Sequence, residues 1–318
     1  MRAIIILSAV LISAFAFSGC ASLQAEKNAG PIGTIMNVDG NDVHVFARIN
    51  DKASLPPLVF IHGASTNLRD MNIAFGDVDF GDRTIVMIDR AGHGYSERPK
   101  DGHKLSVQAE QINKALVQLG VEQPIVIGQS FGGSVALAYA LEYQADMSGL
   151  VLLAPVSHEW PGGIAWHNNV SQIPGLGFLF RRIVIPAYGQ FAAADGIEGA
   201  FTPNKAPENY AERVGLSLLF RPKEFRSNAA DIYHLKNEVI AMQDRYGTLA
   251  LPVEVIAGED DKSVYPDIHA KALGREIPGA NLHLLPNTGH ALHHARAAFI
   301  ADRINSIKSE IIPENAPS

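Results

Sequence analysis

Short apolar runs recur along the chain, and residues that favour turns separate them. Several of these runs consist of consecutive Val, Ile and Leu residues without alternating polar positions. Because such runs are typical of strands with both faces buried, they predict a mostly parallel sheet covered on both sides. The predicted strands span residues 42–49, 57–61, 84–88, 124–127, 149–153, 252–257 and 281–285.

Segments with helical periodicity lie between these strands. They span residues 106–119, 131–143, 266–275 and 291–307. An order in which strands and helices alternate is typical of α/β proteins whose helices cover both faces of a parallel sheet. The pattern therefore predicts a three-layer α/β fold with a mostly parallel central sheet.

The alternation stops between residues 156 and 249. There, Gly, Pro and aromatic residues precede a longer helical stretch at 210–246. Strand signals resume at Pro252, which favours an insertion into one domain over a separate second domain. We expect residues 156–249 to form a mainly helical lid on a core made of residues 32–155 and 250–310.

The N-terminal segment has the pattern of an export signal. A single positive charge at Arg2 is followed by an apolar run that ends at Phe17, which is short for a membrane span of about 20 residues. We expect residues 1–19 to be a signal peptide and the small, polar residues 20–31 to be a flexible tether.

The end of this segment, Phe17-Ser18-Gly19-Cys20, resembles the bacterial lipobox, with Phe17 in the position where Leu is usual. The resemblance implies that Cys20 is lipidated and anchors the protein to a membrane of the bacterial cell envelope. It also implies the outer membrane where the cell has two membranes, because no Asp follows the cysteine. A plain signal peptide and an uncleaved anchor are the alternatives. Cys20 is the only cysteine, so no intrachain disulfide can form.

Size and charge limit the classes of function. The chain has 318 residues, of which 47% are hydrophobic, and a formal net charge of -7 at pH 7. A chain of this size can bury one large core and also carry an insertion. Its negative charge gives no general attraction to nucleic acid, so we expect no nucleic-acid partner. The sequence contains no cofactor motif, and it leaves the oligomeric state open.

The strongest chemical signal is a serine between two glycines, Gly128-Gln129-Ser130-Phe131-Gly132, placed directly after a predicted strand and before a predicted helix. This is the context in which a Gly-x-Ser-x-Gly sequence exposes a nucleophilic serine on a strained turn. The glycines remove side chains that would clash there, and the helix N-terminus stabilises negative charge. A glycine-rich turn before an ordinary helix is the alternative interpretation.

A second motif, His62-Gly63-Ala64, follows the predicted strand at 57–61. With both motifs in place, residues 32–307 resemble the α/β-hydrolase family. The resemblance implies that the backbone N–H groups of Ala64 and Phe131 form an oxyanion hole. Two fixed N–H donors suit a tetrahedral oxyanion and contribute on the order of 3 kcal/mol each. His62 itself is expected to have a structural role.

The segment 89–96, Asp89-Arg90-Ala91-Gly92-His93-Gly94-Tyr95-Ser96, resembles a loop that is common in members of the family with a lid. Its role there is mostly structural. Asp89, His93 and Ser96 form a rival triad in principle, but side chains this close on one tight loop cannot easily adopt the required geometry.

The resemblance also implies the other two members of a catalytic triad. Its chain order is nucleophile, acid and histidine, with the acid three residues after a glycine that ends a late strand. Gly258 in this position selects Asp261, and Asp260 and Glu159 are the competing acids. The histidine is His290, which follows the last predicted strand.

Two more histidines, His293 and His294, follow at helical spacing, so a metal site with His290 has to be considered. The sequence shows no nearby carboxylate or cysteine that would complete a ligand set. We therefore expect no metal at these residues.

These residues predict a serine hydrolase that acts through an acyl-enzyme. His290 would take the proton of Ser130 while Asp261 holds the imidazole. A serine nucleophile, where some relatives have aspartate, argues against epoxide hydrolase and dehalogenase chemistry. Carboxylic-ester hydrolysis is the expected reaction, and the apolar lid segment 173–180 favours an apolar small-molecule substrate.

Other functions of the same fold stay open. They are lactone hydrolysis, hydrolysis of carbon–carbon bonds, aminopeptidase action and cofactor-free peroxidation. A binding protein that kept the triad, or a structural lipoprotein of the envelope, belongs to a different class, because a fold alone does not establish activity. Turnover of an acyl substrate distinguishes these classes from an enzyme.

Overall fold

Eight strands form one sheet in the computed structural model, which describes the backbone of residues 2–307 and the side chains of residues 13–307 except Gln190. The strand order across the sheet is β1-β2-β4-β3-β5-β6-β7-β8. The strands are β1 (Thr34–Val38), β2 (Asn41–Arg48), β3 (Leu58–Ile61), β4 (Ile85–Ile88), β5 (Ile125–Gln129), β6 (Gly149–Leu153), β7 (Val253–Gly258) and β8 (Asn281–Leu285).

Six of these strands, β3 to β8, run parallel, and the hairpin of β1 and β2 adds two antiparallel strands at one edge. The predicted mostly parallel sheet is therefore confirmed. Strand β1 was missed because it is a short edge strand with mostly exposed side chains, so it lacks the apolar run that marks the buried strands. Parallel strands end at the same edge, which brings the loops after β3, β5, β7 and β8 together.

Helices cover both faces of the sheet. On β3, Val59 and Ile61 pack with the helices of one layer, whereas Leu58 and Phe60 face the other layer. The first layer contains α3 (Leu105–Gln118), α4 (Phe131–Tyr143) and α10 (Ala270–Glu276), and the second contains α2 (Leu68–Phe75) and α12 (Ala297–Ser306). This alternation of buried side chains confirms the three-layer α/β fold. The helix predicted at 291–307 is interrupted at Arg296, which separates α12 from the short helix α11 (Leu292–Ala295).

Five α-helices, a 3-10 helix and a three-residue 3-10 turn (Tyr246–Thr248) lie between β6 and β7, in the segment predicted to be a lid. They are α5 (Trp166–Gln172), α6 (Leu176–Ile183), α7 (Ile185–Phe201), α8 (Tyr210–Arg213), the 3-10 helix Leu216–Phe220 and α9 (Pro222–Gln243). Helix α9 is tied to the core by Asp231, whose carboxylate pairs at 2.7 Å with both Arg90 and Arg98. The segment is therefore attached to the loop after β4 through buried charges.

The N-terminal helix α1 (Arg2–Asn28) differs from the expected flexible tether, because residues 21–28 are helical. Ala25 and Ala29 are buried against Leu218 of the lid segment. The hydroxyl of Tyr95 also donates to the carbonyl of Ala29 at 2.8 Å. These contacts join residues that are far apart in the sequence. The small side chains that suggested a tether allow α1 to pack closely against these residues. Within the described part of the chain, no helix is long and apolar enough to cross a membrane.

Candidate active site

Ser130 lies on a sharp turn between β5 and α4. Its backbone has φ of 54° and ψ of -117°, a conformation that non-glycine residues rarely adopt. The two flanking glycines permit this turn through close backbone contacts. A Cβ at Gly128 would lie 2.3 Å from the carbonyl oxygen of Gly132, and one at Gly132 would lie 2.3 Å from that of Ile61. Any larger residue at either position would therefore push the turn away from the sheet.

The structure brings the hydroxyl of Ser130 next to the imidazole of His290. The Ser130 Oγ and His290 Nε2 atoms are 3.0 Å apart, and His290 Nδ1 lies 2.7 Å from Asp261 Oδ2. Both distances are those of hydrogen bonds. With the proton of the ring on Nδ1, His290 donates to Asp261 and accepts from Ser130, which is the arrangement that lets a histidine deprotonate a serine.

Asp261 is held in place by backbone donors. Its Oδ1 accepts from the N–H groups of Ser263 and Val264, at 2.8 and 2.9 Å. The competing acids stand elsewhere: the side chains of Asp260 and Glu159 are exposed, and neither has a hydrogen bond to His290 among the described contacts. The carboxylate that reaches the histidine is therefore the one that the glycine spacing selects.

Two glycines allow the loops that carry Asp261 and His290 to approach each other. A Cβ at Gly258 would lie 2.1 Å from the carbonyl oxygen of Thr288, and one at Gly289 would lie 2.1 Å from that of Thr202. The first contact joins the ends of β7 and β8, and the second joins the histidine loop to the lid segment. Backbone packing, rather than side-chain length, thus sets the distance between the acid and the base.

Ala64 and Phe131 both lie near Ser130, Ala64 in the loop after β3 and Phe131 as the next residue of the chain. Ala64 lines the cavity in front of Ser130. Phe131 is the first residue of α4, so its N–H has no carbonyl one turn earlier to bond and is free to face a ligand. The loop with Ala64 is fixed by the next residue, because the N–H of Ser65 donates to Asn228 Oδ1 at 2.7 Å. Both positions therefore suit backbone donors to an oxyanion.

His62 is buried behind the oxyanion loop. Its Nε2 accepts from the N–H of Arg90 at 3.0 Å, and its Nδ1 lies 2.8 Å from the carbonyl oxygen of Gly63. Burial and the nearby Arg90 guanidinium lower the pKa of His62 to about 4. A neutral ring held on both nitrogens supports the loop and does not contact Ser130, which agrees with a structural role.

The side chains of the 89–96 loop do not form a second triad. Asp89 accepts from the N–H groups of Leu68 and Tyr95 and pairs with His44, while Ser96 Oγ donates to the carbonyl of Asp89. His93 lies 3.2 Å from the Arg90 guanidinium instead. The polar groups of the loop therefore form hydrogen bonds and ion pairs that connect it to β2, α2 and the lid helix α9.

A cavity of about 320 Å³ lies in front of Ser130 and His290. Helix α7 supplies one wall, and the 3-10 helix and α9 supply further apolar side chains. The apolar lining residues include Ile185, Ala192, Ile197, Phe201, Leu219 and Phe225. None of the lining residues belongs to the apolar stretch 173–180, which was expected to favour an apolar substrate. Helix α7 lines the cavity instead.

The expectation of no carboxylate near His293 and His294 is wrong. Asp70 of α2 places its Oδ2 at 3.0 Å from His293 Nε2 and its Oδ1 at 2.8 Å from His294 Nε2. The hydroxyl of Tyr210 donates to Asp70 Oδ1 at 2.7 Å. The role of Asp70 could not be predicted from the sequence, because this residue lies more than 200 residues before the histidines and belongs to no local motif. Its position in the first turn of an otherwise amphipathic helix was the only signal.

Comparisons with known proteins agree with the observed fold. A family model described as the alpha/beta hydrolase fold matches residues 56–174. The chain is 27% identical over 273 residues to a 2-hydroxymuconate semialdehyde hydrolase of Pseudomonas putida, covering 83% of this chain and 90% of that protein.

Solved structures give the same result. Cfl2 from Burkholderia cenocepacia has a TM-score of 0.73 at 15% identity, with 86% of this chain and 95% of the other covered. An esterase from Exiguobacterium antarcticum has a TM-score of 0.66 at 19% identity, with coverage of 86% and 98%. At these identities the likeness concerns the fold.

Proposed function

Because this chain has the α/β-hydrolase fold, we propose that it is a serine hydrolase with Ser130 as nucleophile, His290 as base and Asp261 as the orienting acid. One observation carries the proposal. The Ser130, His290 and Asp261 side chains form a continuous chain of hydrogen bonds of 3.0 and 2.7 Å at the mouth of an apolar cavity. An isolated serine hydroxyl is a poor nucleophile, and this arrangement is the one that activates it.

The proposed reaction proceeds in two halves. His290 Nε2 takes the proton of Ser130 as its Oγ attacks the substrate carbonyl, and the N–H groups of Ala64 and Phe131 stabilise the oxyanion. His290 then protonates the leaving group, which departs and leaves an acyl-enzyme. Water, deprotonated by His290, releases the acid product and restores the serine. Asp261 stays charged and stabilises the imidazolium in both halves.

We propose a carboxylic ester with an apolar acyl or alcohol group as the substrate. The support is the lining of the cavity, which is mostly aliphatic and aromatic. Hydrolysis of a carbon–carbon bond is the second candidate, because the relative from Pseudomonas putida is named for a substrate of that kind. Lactone and aminopeptidase substrates use the same triad, and they are further alternatives.

A substrate panel tests the ester proposal. Purified protein is assayed with p-nitrophenyl esters of increasing acyl length, with the matching p-nitroanilides, with a lactone and with a 2-hydroxy-6-oxodienoate. We expect the highest kcat/KM for a medium-chain ester, because the apolar cavity gains binding energy with each buried methylene, about 0.8 kcal/mol per group. Faster turnover of the dienoate than of any ester would favour the carbon–carbon candidate, and no turnover at all would favour a binding protein.

We also propose that the protein is exported and held at a bacterial membrane through a lipid on Cys20, on the outer membrane where the cell has two. Cys20 is exposed, as a modified residue has to be. Nearby lid helices expose several large apolar side chains, including Phe178, Ile183, Tyr188 and Phe191, of which Phe191 is 80% exposed. The part of α1 after Cys20, which stays in the protein when residues 1–19 are removed, packs on the lid segment, since Ala25 and Ala29 are buried against Leu218. An anchor at Cys20 would therefore bring the apolar lid surface near the lipid.

Lipidation is tested with the full-length chain expressed in a bacterium that processes lipoproteins and fed an alkynyl palmitate analogue. We expect label on the wild-type protein, in the membrane fraction, and none on Cys20→Ser, because no other cysteine is present. A plain signal peptide would instead give unlabelled wild-type protein in the soluble fraction. An uncleaved anchor would leave both proteins unlabelled and in the membrane.

A further inference from the structure

A buried polar cluster lies beside the apolar cavity and has no part in the proposed reaction. It consists of Asp70, Tyr210, His293 and His294, and we call it the Asp70 cluster. Asp70, Tyr210 and His293 line the same cavity as Ser130. The side chains of Asp70, His293 and His294 are at most 4% exposed. Polar groups buried this deeply need partners, and these lie in the wall of a mostly apolar cavity.

The Asp70 cluster contains no lysine or arginine. Among the described residues, the ion pairs of Asp70 are with His293 and His294, and no other basic side chain joins them. The cluster therefore offers one carboxylate and two imidazoles, with no guanidinium or ammonium group that would repel a cation.

The geometry also matches a metal chelate. Two ligands bound at about 2.0–2.2 Å to one Zn²⁺ ion are about 3–3.5 Å apart. Both imidazoles present Nε2 to the same carboxylate, at 2.8 and 3.0 Å from its oxygens. The candidate ligand atoms of Asp70, His293 and His294 all lie within 4.8 Å of one another. Small rotations of the three side chains would bring them around one ion.

We propose that Asp70, His293 and His294 form a binding site for a divalent transition-metal ion, with Zn²⁺ as the best match. Two imidazoles and one carboxylate are a ligand set that this ion prefers. The hydroxyl of Tyr210, which donates to Asp70 Oδ1, would orient the carboxylate as an outer partner. The cavity provides an entry path, and a water molecule from it can fill the fourth position.

Binding requires both imidazoles to carry their proton on Nδ1, so the Nε2 lone pairs face the ion. The site would then join α2 to α11, and α11 begins two residues after His290. An ion would therefore stabilise the segment that carries the base without contacting Ser130. This inference does not depend on the proposed hydrolase activity, because none of its ligands belongs to the triad.

The test uses the full-length protein with Cys20→Ser, which removes a competing thiol, after treatment with EDTA. Calorimetric titration with ZnCl₂ is expected to show one ion per chain, with an affinity at least tenfold weaker in Asp70→Asn and His294→Gln. His283→Gln is the matched control, because His283 on β8 also pairs with a carboxylate, that of Glu254 on β7, at 2.7 Å. Binding in this control should equal that of the parent.

Failure of the parent protein to bind one Zn²⁺ per chain would overturn the proposal, and so would equal weakening in His283→Gln. A second measurement covers variants that do not fold. Co²⁺ added to the parent should give visible absorption bands of a tetrahedral nitrogen and oxygen site, and Zn²⁺ should raise its unfolding temperature. The absence of both effects would also overturn the proposal. Both measurements can be repeated with Ser130→Ala. This variant should lose hydrolysis and keep metal binding, so failure of the metal proposal can be told from failure of the hydrolase proposal.

Discussion

Replacing Ser130 with alanine is expected to reduce kcat for ester hydrolysis by on the order of 10⁴- to 10⁶-fold. The substitution removes the oxygen that would become part of the acyl-enzyme, while the oxyanion donors and the cavity remain. Residual turnover would come only from water attack on the bound ester. Labelling by a fluorophosphonate should disappear as well, since this reagent traps the activated serine. Steady-state kinetics and in-gel fluorescence measure the two effects.

Ser134→Ala is a matched control for this variant. Ser134 lies one turn further along α4, and its hydroxyl donates to the carbonyl of Val156 at 2.5 Å. Its loss should lower stability by about 1 kcal/mol, the usual net value of a buried hydrogen bond, and leave labelling intact. Both variants keep a Cβ at their position, so the strained turn at Ser130 does not change. Full labelling of Ser130→Ala would place the nucleophile at another residue.

The residues at the sheet edge could be predicted because each follows a local signal. Ser130 comes directly after β5, and His290 comes five residues after the end of β8. Both lie close to glycines at which a Cβ would meet a backbone carbonyl oxygen at little more than 2 Å. Such requirements act over a few residues and are therefore visible in the sequence. The buried parallel strands could be predicted for a similar reason, since their apolar runs show that both faces are covered.

Other features depend on contacts between distant segments and left little trace in the sequence. Asp231 of α9 pairs with Arg90 in the core, and Asp70 meets His293 across more than 200 residues. The helix over residues 21–28 is likewise stabilised by packing of Ala25 against Leu218 of the lid segment. Tertiary contacts of this kind override local composition, so neither the carboxylate near the histidines nor the end of α1 could be predicted.

Asp261→Asn is expected to lower kcat by about 10⁴-fold with little change in KM. The reason lies in how the carboxylate is held. Its Oδ1 accepts from the backbone N–H groups of Ser263 and Val264, so an asparagine would keep its amide oxygen there and turn its NH₂ group to His290. That group donates to His290 Nδ1, which fixes the ring proton on Nε2. His290 then cannot accept the proton of Ser130.

Asp260→Asn provides the control, because Asp260 has the same side chain, is exposed and is one residue away. It should retain wild-type kcat and wild-type rates of fluorophosphonate labelling, whereas labelling of Asp261→Asn should slow in parallel with its kcat. Both variants should unfold near the wild-type temperature, since asparagine preserves the size of aspartate and the Oδ1 contacts. The reverse result, with Asp260→Asn impaired and Asp261→Asn active, would assign the acid to the neighbouring residue. Equal activity of both variants would mean that His290 is oriented without a carboxylate, and the Ser130 and His290 pair would then act as a dyad.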